Sequence, residues 1–365
     1  MPRESLTALD YAKMGCDTLM EKFTAELLPP APRFHYHQGV FLAGMERTYL
    51  LSGDKRYDDY IKAWVDLYVT PEGEVKHCDR GQFDDIQPAV LLYRIYENTG
   101  DKRYKKALDS FVHNVDMWPK NARGGFWHKD SHPNQMWLDT LYMIGPYMAM
   151  YANKIGGRDY FYEIIYQNMN LMRRNITEPE TGLLYHAWDD SKQIDWCDKN
   201  TGLSSQFWGR AIGWYAVSIL EILDYLPKDH PRRQEFIDAE IDILNAIIKF
   251  QDEKTGMWYQ VVNRGDDPKN WLETSCSSLY TYSLAKAVRT GVADKSYEKY
   301  ARKGYEGVIN SLDFEGGGII VGNVCIGTGV GDYEFYLNRP TVQNDLHGMG
   351  AFLLMCTEYS SFCSG

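Results

Sequence analysis

The sequence predicts an all-α protein, an (α/α)6 barrel of six helical hairpins with its functional site at the end that carries the long loops. Three observations support this prediction: apolar residues recur at helical spacing in twelve segments, one turn motif repeats along the chain, and short and long connections alternate. The chain has 365 residues and no Pro-, Ser- or Gly-rich linker, so a single domain spanning residues 1–365 is expected.

The twelve helices follow from the spacing of apolar residues. The first is predicted from Leu9 to Leu27, because apolar side chains recur every three or four positions until Pro29 and Pro30 end the run. The other eleven are predicted over 40–51, 57–67, 85–98, 104–116, 138–155, 159–173, 206–225, 233–250, 275–289, 297–310 and 344–359. Little of the remaining chain has the pattern of a β-strand.

The turns after the even-numbered helices are short and resemble one another. Residues 52–57 read Ser-Gly-Asp-Lys-Arg-Tyr, residues 99–104 read Thr-Gly-Asp-Lys-Arg-Tyr, and 157–160 and 294–297 look like degraded copies. Where a copy contains Gly, this Gly suits the left-handed position after a helix. In each copy, Asp suits the cap of the next helix. The repeat therefore predicts an array of helical hairpins.

The connections into the even-numbered helices are much longer, and loops of this length in a compact domain usually carry function. They span 70–84, 117–137, 174–205, 251–274 and 311–343. If the six hairpins close into a ring, the even-numbered helices form its inner wall and the long loops meet at one end. An open solenoid is the alternative, but no polar capping repeat is visible at either end.

Composition narrows the range of partners. The chain has 50 acidic and 39 basic residues and a formal net charge of −11, which disfavours binding to nucleic acid or to anionic lipid surfaces. No apolar run approaches about 18 residues, and no signal peptide precedes the first helix, so a cytoplasmic protein, either a monomer or a weak homo-oligomer, is expected. Seven cysteines without CxxC spacing predict neither a disulfide framework nor a metal site, and we expect no cofactor.

Unusual polar and aromatic residues occur where each inner helix should begin. These segments are 35–39, 82–85, 137–139, 208–210, 273–275 and 344–348. Helix capping explains some of their Asp, Asn, Ser and Thr residues. It does not explain Trp137, Trp208, Arg210 or His347 in equivalent places, so we expect these segments to form a shared site at the mouth of the ring.

Asp139 and Asp84 are the predicted catalytic pair, with Asp85 as an alternative to Asp84. Neighbouring inner helices carry them, and two carboxylates facing each other across a cavity suit acid/base catalysis. The N-terminus of a helix would lower the pKa of Asp139, whereas burial beside Trp137 and a second carboxylate would raise it again. Simple helix capping is the alternative role for each Asp.

Further residues are predicted to hold a substrate. Arg210 and Trp214 lie four positions apart on one helix and share a face, which suits a carboxylated sugar ring, although a structural salt bridge is equally compatible. His128 and His186 lie in long loops that lead into inner helices, and without an HExxH motif or a tight Cys/His cluster we expect no metal there. The glycines of 327–331 lack GxGxxG spacing, so phosphate binding is not expected.

Four segments together resemble glycoside hydrolase family 105, the unsaturated rhamnogalacturonyl hydrolases, which are related to the unsaturated glucuronyl hydrolases of family 88. They are Gln-Met-Trp-Leu-Asp at 135–139, His-Ala-Trp-Asp at 186–189, Phe-Trp-Gly-Arg-Ala-Ile-Gly-Trp-Tyr at 207–215, and Asn-Asp-Leu-His-Gly at 344–348. The resemblance runs from about residue 35 to 358.

The resemblance implies a cytoplasmic (α/α)6-barrel enzyme without a cofactor that acts on an unsaturated galacturonyl-rhamnose disaccharide or short oligosaccharide left by pectin lyases. In such enzymes an Asp protonates C4 of the C4=C5 double bond, and water adds at C5. By the same resemblance, Asp139 is the general acid/base and Asp84 its partner. The implied sugar-binding residues are Trp137, His128, His186, Trp208, Arg210 and Trp214. His35, His37 and His132 depart from the family pattern.

Three alternatives remain open at the level of sequence. A hydrolase of unsaturated glucuronyl units from glycosaminoglycans would use the same chemistry, but sulfated substrates call for more basic residues than the predicted mouth carries. A sugar 2-epimerase would work through histidines and convert a free sugar. A non-catalytic carbohydrate-binding protein would keep the aromatic residues without needing a pair of Asp residues.

Overall fold

The computed structural model describes residues 6–364, which are mostly helical. The α-helices are Ala8–Lys22 (α1), Tyr36–Ser52 (α2), Lys55–Tyr68 (α3), Val90–Thr99 (α4), Lys102–Asp116 (α5), Asp139–Lys154 (α6), Arg158–Ile176 (α7), Gly209–Tyr225 (α8), Arg233–Ile247 (α9), Thr274–Thr290 (α10), Glu298–Asn310 (α11), Tyr333–Leu337 (α12) and Leu346–Ser364 (α13). The strands are Gln135–Trp137 (β1), Ala187–Asp189 (β2), Asp313–Glu315 (β3), Gly318–Ile320 (β4), Val324–Cys325 (β5) and Thr341–Val342 (β6).

Six of these helices form a closed inner ring. In order around the ring, α2, α4, α6, α8, α10 and α13 each contact the next, and α13 returns to α2. The outer helices α3, α5, α7, α9 and α11 pack behind the inner helices that precede them, while α1 packs behind α13. The predicted (α/α)6 barrel is therefore confirmed, and the open solenoid is wrong. No helix in residues 6–364 is long and apolar enough to cross a membrane.

Burial follows the two layers. The outer helix α3 buries one stripe, formed by Tyr57, Ile61, Trp64, Val65 and Tyr68, as its amphipathic spacing predicts. The inner helix α10 is buried continuously from Thr274 to Ala287, although it contains several Ser and Thr residues. Two of these hydroxyls donate to backbone carbonyls one turn earlier, Ser277 to Glu273 O and Ser278 to Thr274 O, at 2.8 Å each.

Glycines allow α2 and α13 to pack closely where the ring closes. A Cβ atom on Gly350 of α13 would lie 2.6 Å from the backbone carbon of Val40 and 2.7 Å from the backbone nitrogen of Phe41. From the opposite side, a Cβ on Gly44 of α2 would lie 2.6 Å from Leu353 Cβ. Backbone atoms cannot rotate away as the end of a side chain can, so this seam depends on the absence of side chains at both positions.

The repeated turns have the predicted conformation at their two clearest copies. Gly53 ends α2 with a φ of 71°, and Gly100 ends α4 with a φ of 66°, both left-handed. The following residues, Asp54 and Asp101, accept hydrogen bonds from backbone N–H groups two positions later. The copy at 157–160 differs, because Gly157 itself occupies the N-cap of α7 and Asp159 falls within the first turn.

Several predicted boundaries were wrong. The helix predicted over 85–98 begins at Val90, and two short 3-10 turns, Phe83–Asp85 and Gln87–Ala89, precede it. Pro88 lies in the second of these turns and disfavours α-helical geometry in the residue before it. The first helix ends at Lys22, and α2 begins at Tyr36, where the His35 side chain caps it. The short helix α12, inside the last long loop, was not predicted.

One strand pair joins two long loops, whereas β3–β4 and β5–β6 each pair within the last long loop. β1, which precedes α6, pairs antiparallel with β2 from the next long loop, and Trp137 is the partner of Ala187. The backbone continues this pairing by one step, because Leu138 N–H donates to His186 O at 3.1 Å. The position of His186 beside the start of α6 is therefore set by strand pairing.

We predict that Gly350→Ala destabilises the protein by about 1–3 kcal/mol, because the added methyl group forces α13 away from α2. Helix propensity alone predicts the opposite, a gain of about 1 kcal/mol for Gly to Ala inside a helix. The free energy of unfolding, measured with urea, decides between them. The control is Gly15→Ala in α1, where the new Cβ would meet side-chain atoms, Leu353 Cδ2 and Met349 Sδ at 3.0 Å and Ile319 Cδ1 at 3.6 Å. Equal stability of the two variants would contradict close packing at the seam.

Candidate active site

A cavity of about 370 Å³ opens at the long-loop end of the barrel. It is lined by His35, Tyr36, His37, Asp84, His128, Lys129, His132, Trp137, Asp139, Met143, Gly327, Thr328 and Gly329. These residues come from the loops and helix starts that the topology brings together. Of the six segments predicted to share a site, 35–39, 82–85 and 137–139 contribute to this lining, whereas 208–210, 273–275 and 344–348 contribute no described lining residue.

Asp139 is the first residue of α6 and is held by a histidine. Its Oδ2 atom lies 3.1 Å from His186 Nε2, and His186 Nδ1 lies 2.7 Å from the Tyr336 hydroxyl. Burial keeps the pKa of Tyr336 well above its usual value, so its hydroxyl stays protonated and can donate to Nδ1. Nε2 of His186 then carries the ring proton and donates to Asp139, which makes a relay of Tyr336, His186 and Asp139.

The expected rise in the pKa of Asp139 is wrong for the ligand-free site. Burial does act to raise it, but the hydrogen bond from His186, and the positive charge that His186 and His128 carry when protonated, lower the pKa below its usual value. The second carboxylate does not counteract this effect, because Asp84 is itself paired with a lysine. In the free site, Asp139 is therefore a carboxylate that accepts a hydrogen bond.

Asp84 lies in the 3-10 turn before α4, and its Oδ2 atom is 3.0 Å from Lys129 Nζ. An antiparallel bridge between Gln82 and Lys129 brings the two loops together. Burial would raise the pKa of Asp84, but the charges of His128, Lys129 and His35 lower it to about 2. Asp84 thus remains ionised at any pH near neutrality.

Asp85, the alternative to Asp84, does not line the cavity among the described residues. Its Oδ1 atom lies 3.3 Å from Arg33, and its Oδ2 atom accepts a hydrogen bond from the backbone N–H of Asp79 at 2.7 Å. Burial raises the pKa of Asp85 to about 7. These contacts assign Asp85 to loop structure and leave Asp84 as the carboxylate that faces the cavity.

Trp137 and His128 form one wall of the cavity. Their rings stack with centroids 4.2 Å apart and planes 12° apart. The indole N–H of Trp137 donates to Gln135, and His128 Nδ1 lies 2.9 Å from the Thr140 hydroxyl. Burial lowers the pKa of His128 to about 4, so the ring is neutral near neutral pH. This wall offers a sugar an apolar surface and a neutral imidazole.

Arg210 is buried at the start of α8, outside the set of described residues that line the cavity. Its guanidinium donates to Cys325 O and Ile326 O, at 2.7 Å each, and lies 3.7 Å from Glu273 Oε1. Glu273 in turn accepts the backbone N–H of Cys325 at 3.0 Å. These contacts hold the segment that continues into Gly327–Gly329 on the cavity wall.

Trp208 and Trp214, which lie close to Arg210 in the sequence, are both buried. Trp208 donates from its indole nitrogen to Gln260, lies under the guanidinium of Arg210 and packs against His186. Trp214 stacks on Tyr142 with centroids 4.4 Å apart. Arg210 and Trp214 therefore do not form the predicted pair around a sugar in the described structure, because the partner of Arg210 is Trp208.

Sequence reasoning missed two residues of the site. Lys129 follows His128 directly, yet a single Lys in a long loop carries no motif. Tyr336 belongs to α12, a helix of five residues that is too short for periodicity to reveal. No local pattern would have paired Tyr336 with His186, because the two lie in different long loops.

Comparisons with known proteins agree with this architecture. Residues 11–363 match Glycosyl Hydrolase Family 88. The chain is 28% identical over 302 residues to the unsaturated rhamnogalacturonyl hydrolase YesR of Bacillus subtilis, which covers 80% of this chain and 79% of YesR. It is 24% identical over 300 residues to an unsaturated 3S-rhamnoglycuronyl hydrolase of Formosa agariphila, covering 76% of this chain and 74% of that protein.

Solved structures give the same result. A glycoside hydrolase from family 105 of C. acetobutylicum superposes with a TM-score of 0.92 at 32% identity, covering 96% of this chain and 99% of that one. The unsaturated glucuronyl hydrolase of Bacillus sp. GL1, at 13% identity, shares the fold with a TM-score of 0.71, covering 96% of this chain and 95% of its own. The chain is therefore a glycoside hydrolase that belongs to Glycosyl Hydrolase Family 88 and groups with the family 105 enzymes.

Proposed function

We propose that this enzyme removes the non-reducing 4,5-unsaturated galacturonyl residue from rhamnogalacturonan oligosaccharides produced by a lyase. The observation that carries the proposal is the hydrogen bond between Asp139 and His186, in a cavity that also holds Asp84, a carboxylate that stays ionised near neutral pH. The names of similar proteins, such as the rhamnogalacturonyl hydrolase YesR, support the substrate class.

In the proposed reaction, Asp139 in its protonated form gives its proton to C4 of the C4=C5 double bond. Positive charge develops at C5 and the ring oxygen, and a water molecule adds at C5 while the Asp139 carboxylate takes up its proton. The hemiketal at C5 then opens, and the neighbouring sugar leaves from C1. Asp139 is thus regenerated in its acidic form at the end of the cycle.

The negative charge of Asp84 suits a different role. Since its pKa is about 2, Asp84 cannot deliver a proton near neutral pH, but it can stabilise positive charge at C5 and orient the attacking water. Lys129, next to Asp84, is the one Lys or Arg side chain among the described residues that line the cavity, and we assign it to the carboxylate of the unsaturated sugar.

Trp137 and His128 are proposed to contact the sugar, since both line the cavity. His186, Trp208 and Arg210 act from behind it in this proposal. His186 positions Asp139, Trp208 supports His186, and Arg210 positions the wall at Gly327–Gly329. Trp214 supports the inner wall through its stack on Tyr142.

Asp139→Asn is expected to lower kcat by about 100-fold to 10,000-fold, because the amide cannot donate a proton to C4. The assay follows the loss of enol-ether absorbance from an unsaturated galacturonyl-rhamnose disaccharide. The matched control is Asp130→Asn, the same chemical change at an exposed position of the neighbouring loop, which should remain within about twofold of the native enzyme. Full activity of Asp139→Asn with a native circular dichroism spectrum would overturn the assignment.

The lowered pKa of Asp139 leads to a prediction about pH. Because the free enzyme must hold a proton on Asp139, kcat/KM should fall with rising pH above the pKa of Asp139, by up to about tenfold per pH unit. His186→Phe keeps a ring between Trp137 and Trp208 but removes the donor to Asp139. This variant should therefore raise the pKa of Asp139 and move the falling limb upward by about one pH unit. If the falling limb of kcat/KM lies at the same pH in His186→Phe as in the native enzyme, a group other than Asp139 controls that limb.

A substrate panel tests the sugar specificity. With a single Lys and no Arg among the described lining residues, the cavity is poorly suited to sulfate groups. The unsaturated galacturonyl-rhamnose disaccharide should have a kcat/KM at least about tenfold above that of an unsulfated unsaturated glucuronyl disaccharide. Sulfated glycosaminoglycan disaccharides should be turned over more slowly still. Preference for a glucuronyl or sulfated disaccharide would replace the pectin assignment with the glycosaminoglycan one.

A further inference from the structure

Three side chains with metal-ligand chemistry meet at the beginnings of α2 and α13. They are His37, Asp345 and His347, called here the His37 cluster, and one ligand atom from each lies within 4.8 Å of the others. His347 Nδ1 is 2.8 Å from Asp345 Oδ1, and His37 Nε2 is 3.9 Å from the same oxygen. The residues come from opposite ends of the chain and meet where the ring closes.

The hydrogen bonds of His347 determine which nitrogen carries its proton. Nε2 lies 2.9 Å from the carbonyl oxygen of Cys325, which can only accept, so Nε2 holds the proton in a neutral ring. Nδ1 then carries no proton, and its lone pair points toward the Asp345 carboxylate. In this tautomer the 2.8 Å contact between Nδ1 and Asp345 Oδ1 contains no proton, and among the described residues this buried Nδ1 makes no hydrogen bond of ordinary geometry.

The tautomer of His37 follows from its neighbour in the same way. His35 caps α2 by accepting the backbone N–H of His37 at its Nδ1, so this atom carries no proton. His37 Nδ1 lies 2.9 Å from the same atom and must therefore donate to it. Nε2 of a neutral His37 is consequently an unprotonated lone pair, and this lone pair lies nearest to Asp345.

Three acceptors thus converge, and the described donor to them is the backbone N–H of His347, which lies 3.3 Å from Asp345 Oδ1 and leaves both ring nitrogens without a proton. This arrangement is unfavourable unless a cation lies among them. We propose that the His37 cluster binds one divalent transition-metal ion through His37 Nε2, His347 Nδ1 and the Asp345 carboxylate. Two imidazoles and a carboxylate suit Zn²⁺, Fe²⁺ or Ni²⁺ rather than Mg²⁺ or Ca²⁺. The sequence does not predict this site, because no tight His/Cys motif encodes it.

Access and surroundings fit such a site. The side chains of His37 and Asp345 are 20% and 24% exposed, whereas that of His347 is fully buried. His37 lines both the active-site cavity and a neighbouring cavity that Asp345 also lines, so an ion can enter from solvent. The Cys325 carbonyl orients His347 from behind, as outer hydrogen bonds commonly do for ligating histidines. A bound ion would connect α2 to α13 across the closing seam.

The competing explanation for the contact between His347 Nδ1 and Asp345 is a proton on Nδ1 instead of a metal ion between the two side chains. If His347 is doubly protonated, its Nδ1–H faces Asp345 as an ion pair and no metal is needed. The two explanations differ in metal stoichiometry and in the protonation of His347, and both can be measured without substrate. The metal test is therefore independent of the proposed hydrolase reaction.

The experiment uses the full-length protein without an affinity tag, stripped with a chelator and titrated with Zn²⁺ by calorimetry. One Zn²⁺ per chain is expected, with a rise in melting temperature, and His37→Gln and Asp345→Asn should each weaken binding by at least about tenfold. His132→Gln is the control, because His132 lines the same active-site cavity outside the cluster and should bind Zn²⁺ as the native protein does. Circular dichroism checks that each variant is folded.

Two results would overturn the metal site. One is the absence of stoichiometric Zn²⁺ binding in the native protein. The other is a cluster variant, folded by circular dichroism, that binds Zn²⁺ with native affinity. A nitrogen NMR spectrum provides an independent readout: Nδ1 of His347 should be unprotonated and respond to Zn²⁺, and a doubly protonated ring that ignores Zn²⁺ would support the ion pair instead.

Discussion

The close contact between α2 and α13 is the constraint on which the architecture depends. Gly44 and Gly350 let the two helices approach until backbone meets backbone, and this contact converts a row of hairpins into a ring. Closure leaves the inner helices without an exposed face, which explains why α10 is buried along most of its length. It also gathers the long loops at one end, so the active-site cavity receives residues as distant in sequence as His35 and Gly329.

The loops at that end are connected to each other as well as to the barrel. β1 pairs with β2, Gln82 bridges to Lys129, and Arg210 binds the carbonyls of the last loop. Each connection places a side chain that the cavity uses or supports. A site built this way is ordered before substrate arrives, which limits the conformational entropy lost on binding.

The two carboxylates of the site are kept ionised by different partners. Asp84 is paired with Lys129 and stays ionised, while Asp139 accepts a hydrogen bond from His186 that lowers its pKa. The residue that donates a proton to carbon in the proposed mechanism therefore begins as a carboxylate. In the proposed mechanism, the carboxylate of the bound sugar and the loss of water from the cavity favour protonation of Asp139, since both disfavour a second negative charge.

The sequence by itself determined the features that depend on a few adjacent residues. Helical periodicity, the glycine turns at Gly53 and Gly100, and the alternation of loop lengths led to the barrel and to Asp139 and Asp84 as two carboxylates at its mouth, where both line the cavity. The late start of the helix predicted over 85–98 also has a local cause, since Pro88 lies in the 3-10 turn that precedes Val90. Tertiary structure alone decided which groups surround those carboxylates. The pairing of His186 with Asp139 depends on a strand register between two distant loops, and the His37 cluster on ring closure, neither of which leaves a pattern within one segment.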